Sequence, residues 1–315
     1  MAILSIPQPR CTELASGLRF PEGPIALPNG DVLLVEIARG TLNRITAADG
    51  RNTVVAQLGG GPNGAAMGPD GHCYVCNNGG FRWVEDERGL RPAGQSDDYC
   101  GGSIQRVNLE TGSFETLYAN VGGRPLRGPN DIVFDQHGGF WFTDNGKGRE
   151  RDLDRGGVYY ARADGSFITE AIYPMLTPNG IGLSPLEDVL YVPETVTGRI
   201  WSFEISAPGQ IRKKPWPSPH GGTLLTGLPG FELLDSMAVD SEGNVCVATL
   251  YKGGITVVSP QGEVLRHVPL DDLFTTNICF GGPGLKTAFV TLSHSGRLVS
   301  FEWPVGGLPL NFLNR

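Results

Sequence analysis

The chain has 315 residues, 46 of them glycine and 24 proline, with only 18% charged residues and a formal net charge of −8. Such an acidic balance excludes nucleic acid or an anionic membrane surface as the expected partner, since both demand basic patches. No apolar run approaches the ~20 residues of a membrane span, and the glycines fall between short apolar runs, the pattern of many short strands joined by turns.

The N-terminus, Met1 to Arg10, has no basic start followed by a long apolar core, so a cytoplasmic protein is expected. Residues 11–20 alternate weakly and predict a strand. The segments 31–36, 40–45 and 53–56 predict three more. Next come 73–76, 102–107 and 114–118, with a long insertion between the first two, Asn77 to Cys100, carrying Phe81, Trp83 and Tyr99 among many charges. Long insertions in a tight repeat are often functional, frequently as lids. Strands follow at 139–144, 157–161 and 168–171, then at 188–193 and 199–203, before a polar, proline-rich loop from Arg212 to Gly222. The last predicted strands are 244–248, 254–258, 287–291 and 296–301. No sustained helical period occurs anywhere, so the fold class is all-β. Of six cysteines, Cys73 and Cys76 have a redox-motif spacing but fall in mid-strand on opposite faces, which makes them small buried hydrophobes.

One unit recurs. Gly128-Pro129-Asn130-Asp131-Ile132-Val133-Phe134 places an amide and a carboxylate at a bend, then a short apolar strand, then a His-Gly-Gly turn and an aromatic strand. The same outline returns at Pro21-Glu22-Gly23-Pro24, Pro62-Asn63-Gly64-Ala65, Pro178-Asn179-Gly180-Ile181, Leu234-Asp235-Ser236-Met237 and, more loosely, Asn277-Ile278-Cys279-Phe280. The steps between copies are 41, 67, 49, 56 and 42 residues, at or somewhat above the repeat length of propeller blades. Four-stranded units too thin to bury a core alone are stable when arranged radially. The expected architecture is a single domain over residues 1–315, a six-bladed β-propeller with a central channel, its ring closed by the strand at 11–20 pairing into the sixth blade.

Aligning the copies gives a column of side-chain oxygens: Glu22, Asn63, Asn130, Asn179, Asp235 and Asn277. Any one Asn or Asp before a strand is explained by turn chemistry alone. Two carboxylates aimed into one acidic channel are not, because they repel unless a cation neutralises them. Glu, Asp and two Asn form an all-oxygen, doubly negative set, suited to a hard divalent ion such as calcium. The absence of histidine from the column argues against a dedicated zinc site.

These motifs, in this order and spacing over almost the whole chain, resemble those of the SMP-30/gluconolactonase/LRE-like (regucalcin-like) family; Cys279-Phe280-Gly281-Gly282 with Phe289-Val290-Thr291 is similar to that family's last blade. The resemblance implies one catalytic divalent cation at the channel mouth, calcium first, with zinc, magnesium or manganese also compatible. It assigns Glu22, Asn179 and Asp235 as metal ligands and Asn130 as a ligand or close polar neighbour. It also implies a hydrolase, a lactonase of gluconolactonase type acting on a small-molecule lactone or ester. There Asp235 would serve as general base and Asn130, if free of the metal, as donor to the developing oxyanion. Some sugar-lactonase relatives carry an arginine two residues before the motif Asn; here Gly128 stands there, with Arg127 adjacent as a substitute. Tyr99, Trp83 and His294 complete the candidate substrate contacts, and Phe81, Trp83 and Tyr99 would suit a more apolar substrate if the insertion folds over the mouth. An aryl-ester or organophosphate hydrolase on the same site, or a calcium-binding propeller without chemistry, are the alternatives.

Overall fold

The computed structural model describes residues 7–315. Six antiparallel sheets follow one another along the chain, and together they form a six-bladed β-propeller. The first blade comprises Pro21–Ala26, Val32–Glu36, Thr41–Ile45 and Asn52–Gln57. In the sixth, Thr275–Gly281, Thr287–Leu292 and Arg297–Glu302 are completed by Thr12–Ala15 from the other end of the chain, Thr12 pairing with Ser300. The expected closure strand is therefore present, shorter than the pattern suggested. Closure this way removes an exposed edge and ties the ring's two ends together.

Alternation along these strands gives each blade two apolar faces, and the core is divided accordingly into six clusters, one at each junction between neighbouring blades. Leu33, Val35 and Leu42 meet Cys73, Val75 and Val107 between the first and second blades. Cys76, three residues from Cys73, belongs instead to the junction between the second and third, with Phe140 and Phe142. The remaining junctions carry their own clusters round to Ala26 and Leu34 against Cys279 and Phe289, which seal the sixth blade to the first. Burial in these apolar layers pushes the Cys73 thiol up to about 12 and Cys76 well above the ordinary range. Neither has any redox or nucleophilic character.

The innermost strands carry the repeated motif and line the channel: Ile25, Ile132, Ile181, Met237 and Ile278 all border a cavity of ≈ 110 Å³ on the axis. At its far end the C-terminal residues Leu308 to Arg315 close over it, Asn311 bonding to the Phe134 carbonyl (3.1 Å) and to Glu187 (2.8 Å). Among the main strands of the blades, the outermost ones of the fourth and fifth, Thr223–Gly227 and Val264–Pro269, are left unassigned by the sequence pattern. Their solvent-facing alternation is irregular, which erases the period-2 signal.

Candidate active site

Five of the six innermost strands break register beside the motif. Pairing shifts between Glu22 and Ile25, Pro62 and Ala65, Pro129 and Ile132, Leu234 and Met237, and Thr275 and Asn277. A bulge inserts an unpaired residue, bends the strand and re-aims a side chain. Around these breaks Glu22, Asn277, Asp235 and Asn179 come together, Asn277 bonding to Glu22 and Asp235 facing the charge of Glu22 and the Asn179 amide. In the fourth blade the inner strand is only Gly182–Leu183, and Asn179 is held instead by its own backbone N–H to Pro193 (2.9 Å) and by the bridge between Pro178 and Glu194.

A second column fixes the first. In the first four blades the residue ending the second strand, Glu36, Asn77, Asp144 and Glu194, lies opposite the motif proline. It accepts backbone N–H groups from the incoming segment: Arg19 to Glu36 (2.6 Å), Gly61 to Asn77 (2.9 Å), Arg127 and Gly128 to Asp144 (both 2.7 Å), Leu176 to Glu194 (2.8 Å). All four are buried. Sequence reasoning missed this set, although its signal is regular: Glu36, Asn77 and Asp144 each stand fourteen residues after Glu22, Asn63 and Asn130.

Glu22 and Asp235 meet electrostatically at the mouth. Glu22 is buried; its Oε2 accepts the Asn277 amide (2.8 Å) and the Gly23 backbone N–H (2.7 Å). Burial pushes its carboxyl up, and these bonds pull partly against that. Asp235 remains partly exposed to the mouth. Its carboxyl is held well above the usual range, first by desolvation and then by the charge of Glu22, with Asp131 adding to the repulsion and Asn179 opposing it. Asn179 donates to Thr195 Oγ1 (3.1 Å) and lies 3.4 Å from the Ser236 hydroxyl. Asn130 is buried and its Oδ1 has no hydrogen-bond partner among the described residues.

That orphaned oxygen decides the fit of a cation. A buried amide oxygen without a donor costs free energy, and two neighbouring carboxylates without a counter-charge cost more. A hard divalent ion among Glu22, Asn130, Asn179 and Asp235 would relieve both. Among the described residues no three His, Cys, Asp or Glu side chains form a metal-ligating cluster, so any such site depends on its amides. Asp131, quoted in the sequence motif without a role, is a third buried carboxyl here, pushed up to about 7 by burial and by Glu22. Asn63 and Asn277 are buried in the column; Asn277 acts as a donor to Glu22 and as an acceptor for its own strand, from Ile278 N–H (2.8 Å).

The insertion is a hairpin, Phe81–Asp86 with Gly89–Gln95. It leaves the second blade at the same face as the oxygen column, since Asn77 pairs with Pro62. Leu90 N–H bonds to the His294 carbonyl of the sixth blade (3.1 Å) and Gln95 N–H to Gly148 of the third (3.1 Å), while Arg19 pairs with Glu85 (2.5 Å). Tethered at three blades, the hairpin is a fixed rim. Trp83 packs against Phe20 (ring centroids 5.1 Å apart). His294 is buried, edge-on to Phe274 and 3.8 Å from Asp86. Tyr99 donates its hydroxyl to the Arg127 carbonyl (2.6 Å), which anchors the end of the insertion. The Arg127 side chain is exposed and has no hydrogen-bond or ion-pair partner among the described residues. No side chain can replace it from position 128: a Cβ on Gly128 would lie 2.5 Å from the Gly146 carbonyl oxygen. Lys147, unremarked in the sequence, is buried with its ammonium on the Gly80 carbonyl (2.8 Å) and Asn78 Oδ1 (3.2 Å), over the Phe81 ring (4.3 Å).

The family model described as the SMP-30/Gluconolactonase/LRE-like region matches residues 20–294, from the first blade to the last. The chain belongs to that family. Its relatives include a gluconolactonase of Zymomonas mobilis, 27% identical over 93% of this chain and 82% of the relative. A diisopropyl-fluorophosphatase of Loligo vulgaris is 28% identical over 95% of this chain and 94% of the relative. Among solved structures, a calcium-binding protein, regucalcin, from Agrobacterium tumefaciens superposes with a TM-score of 0.77 at 19% identity, covering 99% of this chain and 100% of that one. At that identity the likeness speaks for the fold.

Proposed function

We propose that the protein is a metal-dependent lactone hydrolase acting at the channel mouth. The observation that carries this reading is the meeting of Glu22 and Asp235, beside the unpartnered Asn130 oxygen, in a chain whose family relatives include a gluconolactonase and the lactonase drp35 of Staphylococcus saprophyticus. Glu22, Asn130, Asn179 and Asp235 would hold the cation, with calcium favoured by the all-oxygen set. Once bound, such an ion supplies Lewis acidity towards the ester carbonyl and acidifies water.

The chain's own groups do the rest. Asp235 is the carboxylate of the pair that reaches solvent, so a water entering the mouth meets it first; it accepts the proton as that water attacks the lactone carbonyl. Glu22, enclosed and held by Asn277 and Gly23, supplies fixed negative charge and does not move a proton. The Asn130 amide can donate to the oxygen on which charge develops. Thr195 and Ser236 orient the Asn179 side chain. The tethered hairpin narrows the mouth on the side of the first and sixth blades.

The test is a metal count on purified protein, followed by hydrolysis of a lactone panel with and without chelator. Bound calcium near one per chain, turnover abolished by chelation and a ~10²–10⁴-fold loss in Asp235→Asn are expected. Metal binding without turnover of any lactone or ester would leave a non-catalytic calcium-binding propeller. The likeness to a diisopropyl-fluorophosphatase over nearly the whole chain favours one second reading, an aryl-ester or organophosphate hydrolase. A fluorophosphate or aryl ester preferred over every lactone would establish it.

A further inference from the structure

The rings around the mouth are continuous. Starting on the hairpin, Phe81 meets Trp83 (5.8 Å between centroids), Trp83 meets Phe20 (5.1 Å), Phe20 meets Phe274 (6.0 Å), Phe274 meets Tyr251 (5.6 Å), and Tyr251 stacks on Phe231 (5.5 Å, 12° between planes). Each spacing lies in the range of attractive aromatic pairs. The six residues come from four different blades, so only the arrangement of the ring brings them together.

Their placement ties this arc to the site. Phe20 stands two residues before Glu22, Phe274 three before Asn277 and Phe231 four before Asp235. Each therefore lies on the segment that delivers a column residue to the mouth. Tyr251 follows the strand whose Leu250 pairs with Leu233, and its backbone N–H bonds to Leu273 (2.7 Å). Phe20 and Tyr251 both have left-handed backbones, φ 58° and 66°. Bulky residues adopt that conformation only where the surrounding structure imposes it, and such strain gathers at binding sites.

The arc is buried at Phe20 and Phe274, half-buried at Phe81 and Trp83, and open to solvent at its other end, where Phe231 is 77% exposed and Tyr251 43%. Two stacked rings left in water, one of them on the segment that leads into Asp235, make an unfilled apolar surface. They offer no hydrogen-bonding groups beyond the tyrosine hydroxyl to replace the hydration of a polyhydroxylated ring.

We infer that the Phe231–Tyr251 end of this arc is a subsite for an aryl or similarly bulky apolar substituent on the lactone or ester, and that the enzyme prefers such substrates to sugar lactones. The inference rests on the hydrolytic reading above and specifies its substrate class. Both rings of the subsite belong to the fifth blade, so it is independent of the hairpin's tethering.

The experiment compares γ-phenyl-γ-butyrolactone, γ-butyrolactone and glucono-δ-lactone with the calcium-loaded full chain. It measures kcat/KM for each and, separately, equilibrium binding of the phenyl compound by calorimetry. The phenyl lactone is expected to exceed both others in kcat/KM by about tenfold or more, an increment typical of an apolar group in a fitted pocket. In Phe231→Ala/Tyr251→Ala the ratio of phenyl lactone to γ-butyrolactone should fall towards unity, and Phe231→Leu/Tyr251→Phe should restore most of it. Turnover without phenyl preference, or a ratio unmoved by the double alanine variant, overturns the subsite and leaves lactone hydrolysis standing. Binding of the phenyl compound that depends on these two rings, without turnover of any lactone, supports the subsite and removes the hydrolytic reading instead. A melting temperature for each variant confirms that it is folded.

Discussion

Gly64→Ala puts the convergence of the column to a direct test. Gly64 follows Asn63 and faces the neighbouring blade, where a Cβ would lie 2.5 Å from the Asn130 carbonyl oxygen and 2.6 Å from both the Asp131 Cα and its Oδ1. Ordinary contact begins near 3.4 Å, so the two inner strands must part by about 0.8–0.9 Å, in line with contact distances in close-packed interiors. Two of the three obstructing atoms are backbone and cannot rotate away. Overpacking of this kind costs about 1–3 kcal/mol. The displacement falls on Asn130, and a shift near 1 Å at a reacting centre is worth roughly 10²-fold in rate. Gly148→Ala is the control, because its Cβ would meet only Leu153 Cδ1 at 3.7 Å with no left-handed backbone. Denaturant midpoints and kcat/KM are measured for both variants. A Gly64→Ala protein indistinguishable from Gly148→Ala in stability and turnover would refute the claim that close approach of neighbouring inner strands sets the mouth.

Three further outcomes follow from the same structure. Phe142→Ala, which empties a fully buried position at the junction of the second and third blades, should lower stability by about 3–5 kcal/mol, read from denaturant unfolding. A thiol-specific reagent should titrate two cysteines in the native protein, Cys100 before Cys11, whose thiol burial pushes up, and reach Cys73, Cys76, Cys246 and Cys279 only on unfolding; fast labelling of Cys73 or Cys76 would contradict their burial. Burial pulls Lys147 from 10.5 down to about 7, with Asp144 and Asp154 opposing it, so the folded state binds this proton more weakly than the unfolded chain does. Stability relative to Lys147→Met should therefore rise by about 1.4 kcal/mol per pH unit between pH 7 and 10.5 and be level below pH 7. A difference independent of pH in unfolding curves at pH 7.5 and 8.5 would show that Lys147 stays charged throughout.

The repeat was legible because blades of one architecture solve one local problem six times. Pro-Asn before an apolar strand and a glycine at the next turn are local necessities, so Glu22, Asn63, Asn130, Asn179, Asp235 and Asn277 could be aligned without coordinates, and the closing strand at 12–15 follows from the need to cover an edge. The outer strands at 223–227 and 264–269 were less legible, since partial exposure removes the alternation that marks a strand. Asp131 stood in the motif without a role of its own, and Lys147 gave no signal at all. Each is an ordinary charged residue in the sequence, and what sets it apart is enclosure by segments far away in the chain, Glu22 for one and Asn78 with Gly80 for the other.

The amino-acid sequence by itself determined the number of blades, the aligned column of side-chain oxygens and the opposite faces taken by Cys73 and Cys76, because all three depend on periods of two residues or on repeats of some tens. Only the tertiary structure decided that Glu22, Asn179, Asp235 and Asn277 come together, that Glu36, Asn77, Asp144 and Glu194 clamp the segments carrying the motif, and that rings from four blades join into one arc. Those features arise where strands distant in sequence come within a few ångströms, and the electrostatic and packing terms that govern them have no counterpart in local pattern.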